Sequence, residues 1–175
     1  MRLARSADDE TDLLALARRE HEARLTRYAR RLLHDAARAG DAVQETFLAL
    51  ARQPAEPDLR PRLAAWLFTV CRRKALNQIR ADARLEAFEH HAPGLAADEA
   101  SPVASLEAKE DRQELLALVA RLPERQREVV RLRYQEGFSY QEIAAITEHS
   151  VNHVGVLLHQ ALQALRRAWP TEGAG

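Results

Sequence analysis

Arg73, Asn77 and Arg80 carry the first chemistry that this sequence suggests. They fall at i, i+4 and i+7, the spacing that gathers side chains on one helix face. Arg72 and Lys74 flank them. Such a stripe suits phosphates, and Asn77 adds an amide able to read a base edge. A solvated basic face is the plain alternative. Arg62 and Trp66 lie just upstream. Trp66 is either a ring for base stacking or, four residues before Val70, a core side chain.

Other reactive side chains point to less. His149 and His153 stand four apart, but His149 falls in a turn and no acidic or Cys partner is near, so no metal is expected. His153 reads better as a polar contact. His90 and His91 lie in a solvated stretch, and His159 has no metal-ligating partner. Cys71 follows Val70 on a helix and reads as a small core residue; a redox sensor needs exposure and a lowered pKa. A single cysteine excludes an internal disulfide and a Cys-based zinc site. No carboxylate pair, Ser–His constellation or phosphate loop has credible spacing, so neither an enzyme nor a cofactor is expected.

The elements holding these residues are helices. Ala, Leu, Arg, Glu and Gln dominate, and only six Gly occur in 175 residues. Leu13, Leu14 and Leu16 begin an apolar stripe that continues through Leu25, Tyr28, Ala29, Leu32 and Leu33. Asp41–Leu50 reads as a second helix, with Val43, Phe47, Leu48 and Leu50 apolar. Gln53–Pro61 holds three prolines and reads as a loop. Leu63 to about Arg84 is a third helix, with Leu67, Val70, Leu76 and Ile79 inward. His90–Ser105 is rich in Pro, Gly, small residues and acids and reads as a linker.

The formal net charge of zero conceals three blocks. Residues 1–85 hold 17 Lys and Arg against 12 Asp and Glu, whereas residues 86–114 hold two against eight. The remainder is near neutral. A basic N-terminal part, an acidic middle and a neutral C-terminal part follow. No apolar stretch approaches the roughly 20 residues that span a bilayer, and the N-terminus lacks a secretion signal's apolar core. A cytoplasmic protein without membrane insertion is expected.

Leu122–Trp169 is the most structured tract. Pro123 suits a first helical turn, and Gly137 is placed to end that helix. Ser139 with Glu142 forms a capping box, and Ile143, Ala144 and Ile146 follow as an apolar face. Ser150 is a second N-cap. Val151, Val154, Leu158, Ala161, Leu162 and Leu165 then recur at helical spacing. Two helices joined by a short turn, the second long and amphipathic, make a helix-turn-helix.

Three passages in order resemble RNA polymerase sigma factors of the extracytoplasmic-function type. They are Asp41-Ala42-Val43-Gln44-Glu45-Thr46-Phe47, Ala65-Trp66-Leu67-Phe68-Thr69-Val70 with its basic continuation, and Leu122–Arg127 with Ser139–Ala144. The resemblance spans about residues 10–169. It implies an all-α fold: two small helical domains joined by a flexible acidic linker, the C-terminal one a helix-turn-helix. The implied ranges are 1–88, 89–108 and 109–175. The first domain would dock on the polymerase clamp through Asp41, Gln44, Glu45 and Thr46. It would hold the downstream promoter element through Arg62, Trp66, Arg72, Arg73, Lys74, Asn77 and Arg80. The loop Gln53–Arg62 corresponds to the region that receives a flipped-out base. Related proteins usually have Asn where this chain has Arg73. A second basic set, Arg24, Arg27, Arg31 and Arg38, suits DNA, polymerase or water equally.

The second domain would bind the upstream element through Ser139, Ser150, Asn152, His153, Val156, Leu157 and Gln160. One feature cuts against this. Tyr134–Leu165 contains no Lys or Arg, yet DNA affinity leans on phosphate neutralisation. The family commonly has K-S-R where this chain has Gly155-Val156-Leu157, and Gly where it has Glu148. Val156 and Leu157 would meet thymine methyls or a protein. Arg125, Arg127, Arg131, Arg133, Arg166 and Arg167 on the flanks, and backbone N–H groups at the Ser150 helix start, remain for phosphates. The implied partners are core RNA polymerase, promoter DNA and an anti-sigma factor. Two rivals stand beside this: a sigma-like regulator that acts by sequestering an anti-sigma partner, and a stand-alone helix-turn-helix regulator.

Overall fold

The computed structural model describes residues 7–53, 59–86 and 106–169, with side chains of 7–12, 85–86 and 106–111 excepted. Those residues form seven helices and, among themselves, no strand: α1 (Ala7–Leu33), α2 (Ala36–Ala51), α3 (Leu59–Glu86), α4 (Leu106–Ala120), α5 (Glu124–Tyr134), α6 (Tyr140–Thr147) and α7 (Val151–Ala168). The chain divides into two compact units, Met1–Asp98 and Glu99–Gly175. The all-α, two-part architecture agrees with the sequence. The linker range lies outside the described residues except for its last three, which begin α4.

In the first unit α1, α2 and α3 pack on one another. Leu25, Tyr28 and Ala29 of α1 meet Val43 and Phe47 of α2 and Leu67, Phe68 and Cys71 of α3 in a buried core. The Tyr28 and Phe68 rings lie 5.1 Å apart at a tilt of 43°, within the favoured range for aromatic pairs. His34 ends α1 with φ 54°, and Asp35 caps α2 by accepting from Arg38 N at 3.0 Å. That cap starts α2 five residues before the expected Asp41, because Ala and one exposed turn continue the helix through Gly40. A Cβ at Gly40 would meet nothing within 4 Å.

Helix α3 also starts early, at Leu59, not Leu63. Pro61 is its third residue, where its missing N–H would have had no helical partner. The inward stripe of α3 is Leu63, Leu67, Phe68, Cys71 and Ala75. Val70 and Leu76 are only half-buried, and Ile79 is 37% exposed. Ile79 lies 12 residues after Leu67, about a third of a turn around the helix, so the expectation that it points inward was wrong.

In the second unit α5 and α6 pack on α7, and α4 touches α7. Val129, Leu132, Ile143, Ile146, Val154 and Leu158 are fully buried. Pro123 is the N-cap of α5 and not a residue within its first turn. Gly137 takes φ +80°, which lets Phe138 N reach Leu132 O at 3.0 Å and closes the helix end. Ser139 and Glu142 form the expected capping box: Glu142 N donates to Ser139 Oγ (3.3 Å) and Ser139 N to Glu142 Oε2 (2.8 Å). Ser150 Oγ accepts from His153 N at 3.2 Å and opens α7.

Candidate functional site

Helix α2 separates two faces. Ala42, Val43, Thr46, Phe47 and Leu50 are buried, while Asp41, Gln44, Glu45 and Leu48 are exposed. The exposed four fall at i, i+3, i+4 and i+7, one continuous face. Leu48 is 52% exposed and supplies its apolar centre. Thr46 needs correction. Its exposure is zero, and its hydroxyl donates to Ala42 O at 2.7 Å, so it cannot touch a partner. It lines the core beside Cys71 instead. Burial pushes the Cys71 thiol up to about 12; its hydrogen bond with the Thr46 side chain acts the other way and is smaller. The thiol is neutral and enclosed, as a core residue should be.

Helix α3 carries the basic stripe. Arg73, Asn77 and Arg80 are exposed on one face, and Arg80 Nη1 donates to Asn77 Oδ1 at 3.3 Å. That bond orients the Asn77 amide. Arg72, Lys74 and Trp66 are half-buried, and Arg62 is exposed one turn before Trp66. Lys74 Nζ lies 2.9 Å from Glu45 Oε2, with the two side chains 37% and 50% exposed. The basic side of α3 and the acidic face of α2 therefore meet at this ion pair. In water such a pair contributes at most about 1 kcal/mol, so either partner can exchange it for an external ligand.

Two members of the second basic set, Arg24 and Arg38, are engaged in the fold. The Arg24 guanidinium sits 5.6 Å over the Phe68 ring, and Arg38 pairs with Asp82. Gln78 Nε2 reaches Arg38 O at 3.5 Å. These contacts cross between helices, and nothing in local spacing announces them. Half of the loop expected to receive a flipped base, residues 54–58, lies outside the described residues; Leu59–Arg62 belong to α3.

In the helix-turn-helix, Asn152, His153, Val156 and Gln160 are exposed on α7. Leu157 is only 7% exposed, because it follows Val154 by three residues and joins the stripe with Leu158 and Ala161. Its expected place among DNA contacts was wrong. Ser139 is committed locally, since its hydroxyl accepts from Glu142 N and donates to Glu142 Oε2 at 2.7 Å. Gln126 Nε2 donates to Gln160 Oε1 at 3.3 Å, tying α5 to α7. The His149 and His153 rings meet edge-on at 4.8 Å. Among the described residues no group of three or more His, Cys, Asp or Glu could hold a metal. No helix there is long and apolar enough to cross a membrane.

Arg133 borders the cation-free tract at its N-terminal end. Arg133 lies 5.5 Å over the Tyr140 ring and donates Nη1–H to Phe138 O at 3.0 Å. Arg127 Nη1 donates to Ala120 O at 2.9 Å. A Cβ on Gly155 would stand 3.8 Å from Tyr140 Cε2. Arg133, Tyr140 and Gly155 thus form a layered edge along α7.

Comparison with known proteins gives the family. Residues 18–85 match the family model for sigma-70 region 2, and residues 112–165 the model for sigma-70 region 4. The chain is 34% identical over 166 residues to the ECF RNA polymerase sigma factor SigL of Mycobacterium tuberculosis, covering 94% of this chain and 93% of that one. It is 34% identical over 156 residues to EcfG of Rhodopseudomonas palustris (86% and 81% covered) and 27% identical over 149 residues to CarQ of Myxococcus xanthus (83% of each). In fold it is similar to the sigma factor RpoE of Bartonella quintana, solved with the anti-sigma factor NepR (TM-score 0.67, 24% identity, 93% and 97% covered). It also resembles CnrH, solved with the cytosolic domain of CnrY (TM-score 0.54, 22% identity, 90% and 87% covered).

Proposed function

We propose a division of labour along this chain that proceeds from its family: the chain belongs to the sigma-70 family, as an RNA polymerase sigma factor of the extracytoplasmic-function type. As such it binds core RNA polymerase, recognises promoter DNA and serves transcription initiation. Residues 1–88 dock on the polymerase clamp and hold the downstream element. Residues 89–108 tether them to residues 109–175, which engage the upstream element. The chain contributes binding and no bond-making chemistry, and it works in the cytoplasm.

One observation carries the docking assignment. On α2 a single face leaves Asp41, Gln44, Glu45 and Leu48 exposed while the opposite face fills the core. An apolar side chain ringed by acids and an amide suits a partner surface with arginines around an apolar hollow. On α3 the exposed Arg73, Asn77 and Arg80, with Arg62, Arg72 and Trp66 alongside, favour an opened DNA strand by phosphate pairing and base contact. Lys74 joins them when Glu45 turns to the polymerase. The mechanism is differential binding: groups that fit the opened strand better than the duplex shift the equilibrium toward opening.

An anti-sigma factor is a further partner in this reading, supported by the complexes in which the similar folds were solved. The absence of Lys and Arg from Tyr134–Leu165, which includes most of α7, favours a second reading, in which the C-terminal unit acts mainly by protein binding. Run-off transcription with core polymerase separates the two. In the same preparation, Gln44→Ala with Glu45→Ala should weaken core binding by at least about tenfold. Unchanged affinity in a pull-down titration would sink the docking assignment.

A further inference from the structure

We propose that the C-terminal unit reads A·T base pairs rather than guanine, with Val156 on a thymine methyl, Asn152 on an adenine edge and Arg133 on the adjoining phosphate. This rests on the reading of α7 as a promoter-facing helix. In a helix-turn-helix the N-terminal residues of the second helix approach the base edges. Over that stretch of α7, Val154, Leu157 and Leu158 turn inward. Asn152 and Val156, four residues apart on one face, turn outward, with Val151 beside them at 44% exposure and Val156 at 50%.

Major-groove chemistry then selects the base. Guanine presents two acceptors, N7 and O6, whose usual partner is a bidentate Arg or Lys. Tyr134–Leu165 contains neither. An Asn amide pairs an acceptor and a donor with adenine N6–H and N7, and an apolar side chain fits the C5 methyl of thymine. Exposed valines at positions where a reading helix meets bases have no such partner on a G·C pair. The neighbouring His153 is held edge-on against His149 at 4.8 Å.

The N-terminal part of α7 has no cation of its own, its arginines being confined to the last turn, and one is supplied from its side. Arg133 ends α5 but lies over Tyr140, and Tyr140 lies against Gly155 of α7. Its bond to Phe138 O uses one N–H at 3.0 Å and fixes the guanidinium plane. A planar fork held in this way suits a phosphate oxygen pair. Phosphate contact positions the helix; Asn152 and Val156 specify.

The test uses holoenzyme assembled from the full chain and core polymerase. Run-off transcription from a promoter library randomised in the upstream element identifies the preferred sequence. Each thymine in it is then replaced by deoxyuridine, which lacks the C5 methyl. The preferred element should be A·T-rich. One replacement should weaken holoenzyme binding about three- to fivefold, the worth of one buried methyl. Val156→Ala should erase that difference, and Asn152→Ala should erase discrimination at an adenine. A guanine-dominated element, or replacements without effect on the wild type, would overturn the proposal. So would a Val156→Ala chain that loses initiation while thymine and deoxyuridine remain equivalent, since the face would then dock on protein. Absence of any transcript would instead overturn the sigma-factor reading, and this one with it.

Discussion

Replacing Gly155 by alanine should stabilise the C-terminal unit by about 1 kcal/mol. Gly155 is the fifth residue of α7 and half-buried. Within a helix, glycine is about 0.8–1 kcal/mol less favourable than alanine, because the unfolded chain loses more freedom. A close neighbour could cancel that gain, but the new Cβ would stand 3.8 Å from Tyr140 Cε2, an ordinary van der Waals distance. The contact adds a few tenths of a kcal/mol of dispersion at most. Native-state hydrogen exchange is the assay, since it reports on α7 without mixing the two units' unfolding. Exchange of the α7 core amides should slow about fivefold. Unchanged or faster exchange would refute the reasoning and would mean that the Tyr140 edge needs the bare backbone. Gly40→Ala in α2, where nothing lies within 4 Å, is the matched control in the other unit.

Glu148→Gly should also stabilise the second unit. Glu148 sits at φ 58°, ψ 34°, a conformation that costs a non-glycine residue roughly 1–2 kcal/mol. Glycine's added entropy loss leaves a net gain of about 0.5–1 kcal/mol, and a urea midpoint that does not rise would contradict it. Cys71 sets a pH dependence. Its thiol is raised from 9.0 to about 12 in the fold, so the unfolded chain ionises first. The stability is whole below about pH 9 and falls as pH climbs toward 12, by about 1.4 kcal/mol per unit. Denaturation of wild type against Cys71→Ala at pH 8 and pH 10 should expose this difference; equal slopes would reject it. Leu157→Ala should cost roughly 2–4 kcal/mol and Val156→Ala under about 0.5. Similar thermal shifts for the two would place them on the same face, against the burial reported above.

Each of these predictions depends on which features act over a few residues and which do not. The capping box of Ser139 and Glu142, the Ser150 cap and the Gly137 helix end were legible because donor and acceptor are three to six residues apart. The Arg73, Asn77 and Arg80 stripe was legible for the same reason, since helical spacing alone gathers it. So was the family, because its motif residues stand in order along the chain. The starts of α2 and α3 were missed, because Asp41 reads as the first residue of α2 and Pro61 reads as part of a loop. Gly40 lies on an open surface that tolerates it, and Pro61 falls within the first turn.

Facing was the harder matter. A helix's own periodicity nominates several apolar positions, and only the neighbouring helices decide which are covered. Ile79 was left outside, while Thr46 and Leu157 were enclosed. Contacts such as Glu45–Lys74 and Arg38–Asp82 join residues 29 and 44 positions apart. No local rule foretells them, because they exist only once α2 lies on α3. By itself, then, the sequence determined the helices' caps, the order of the motifs and the absence of cations from Tyr134–Leu165. Tertiary packing decided which side chains remain outside to meet a partner, because burial is a property of two surfaces and the chain writes only one at a time.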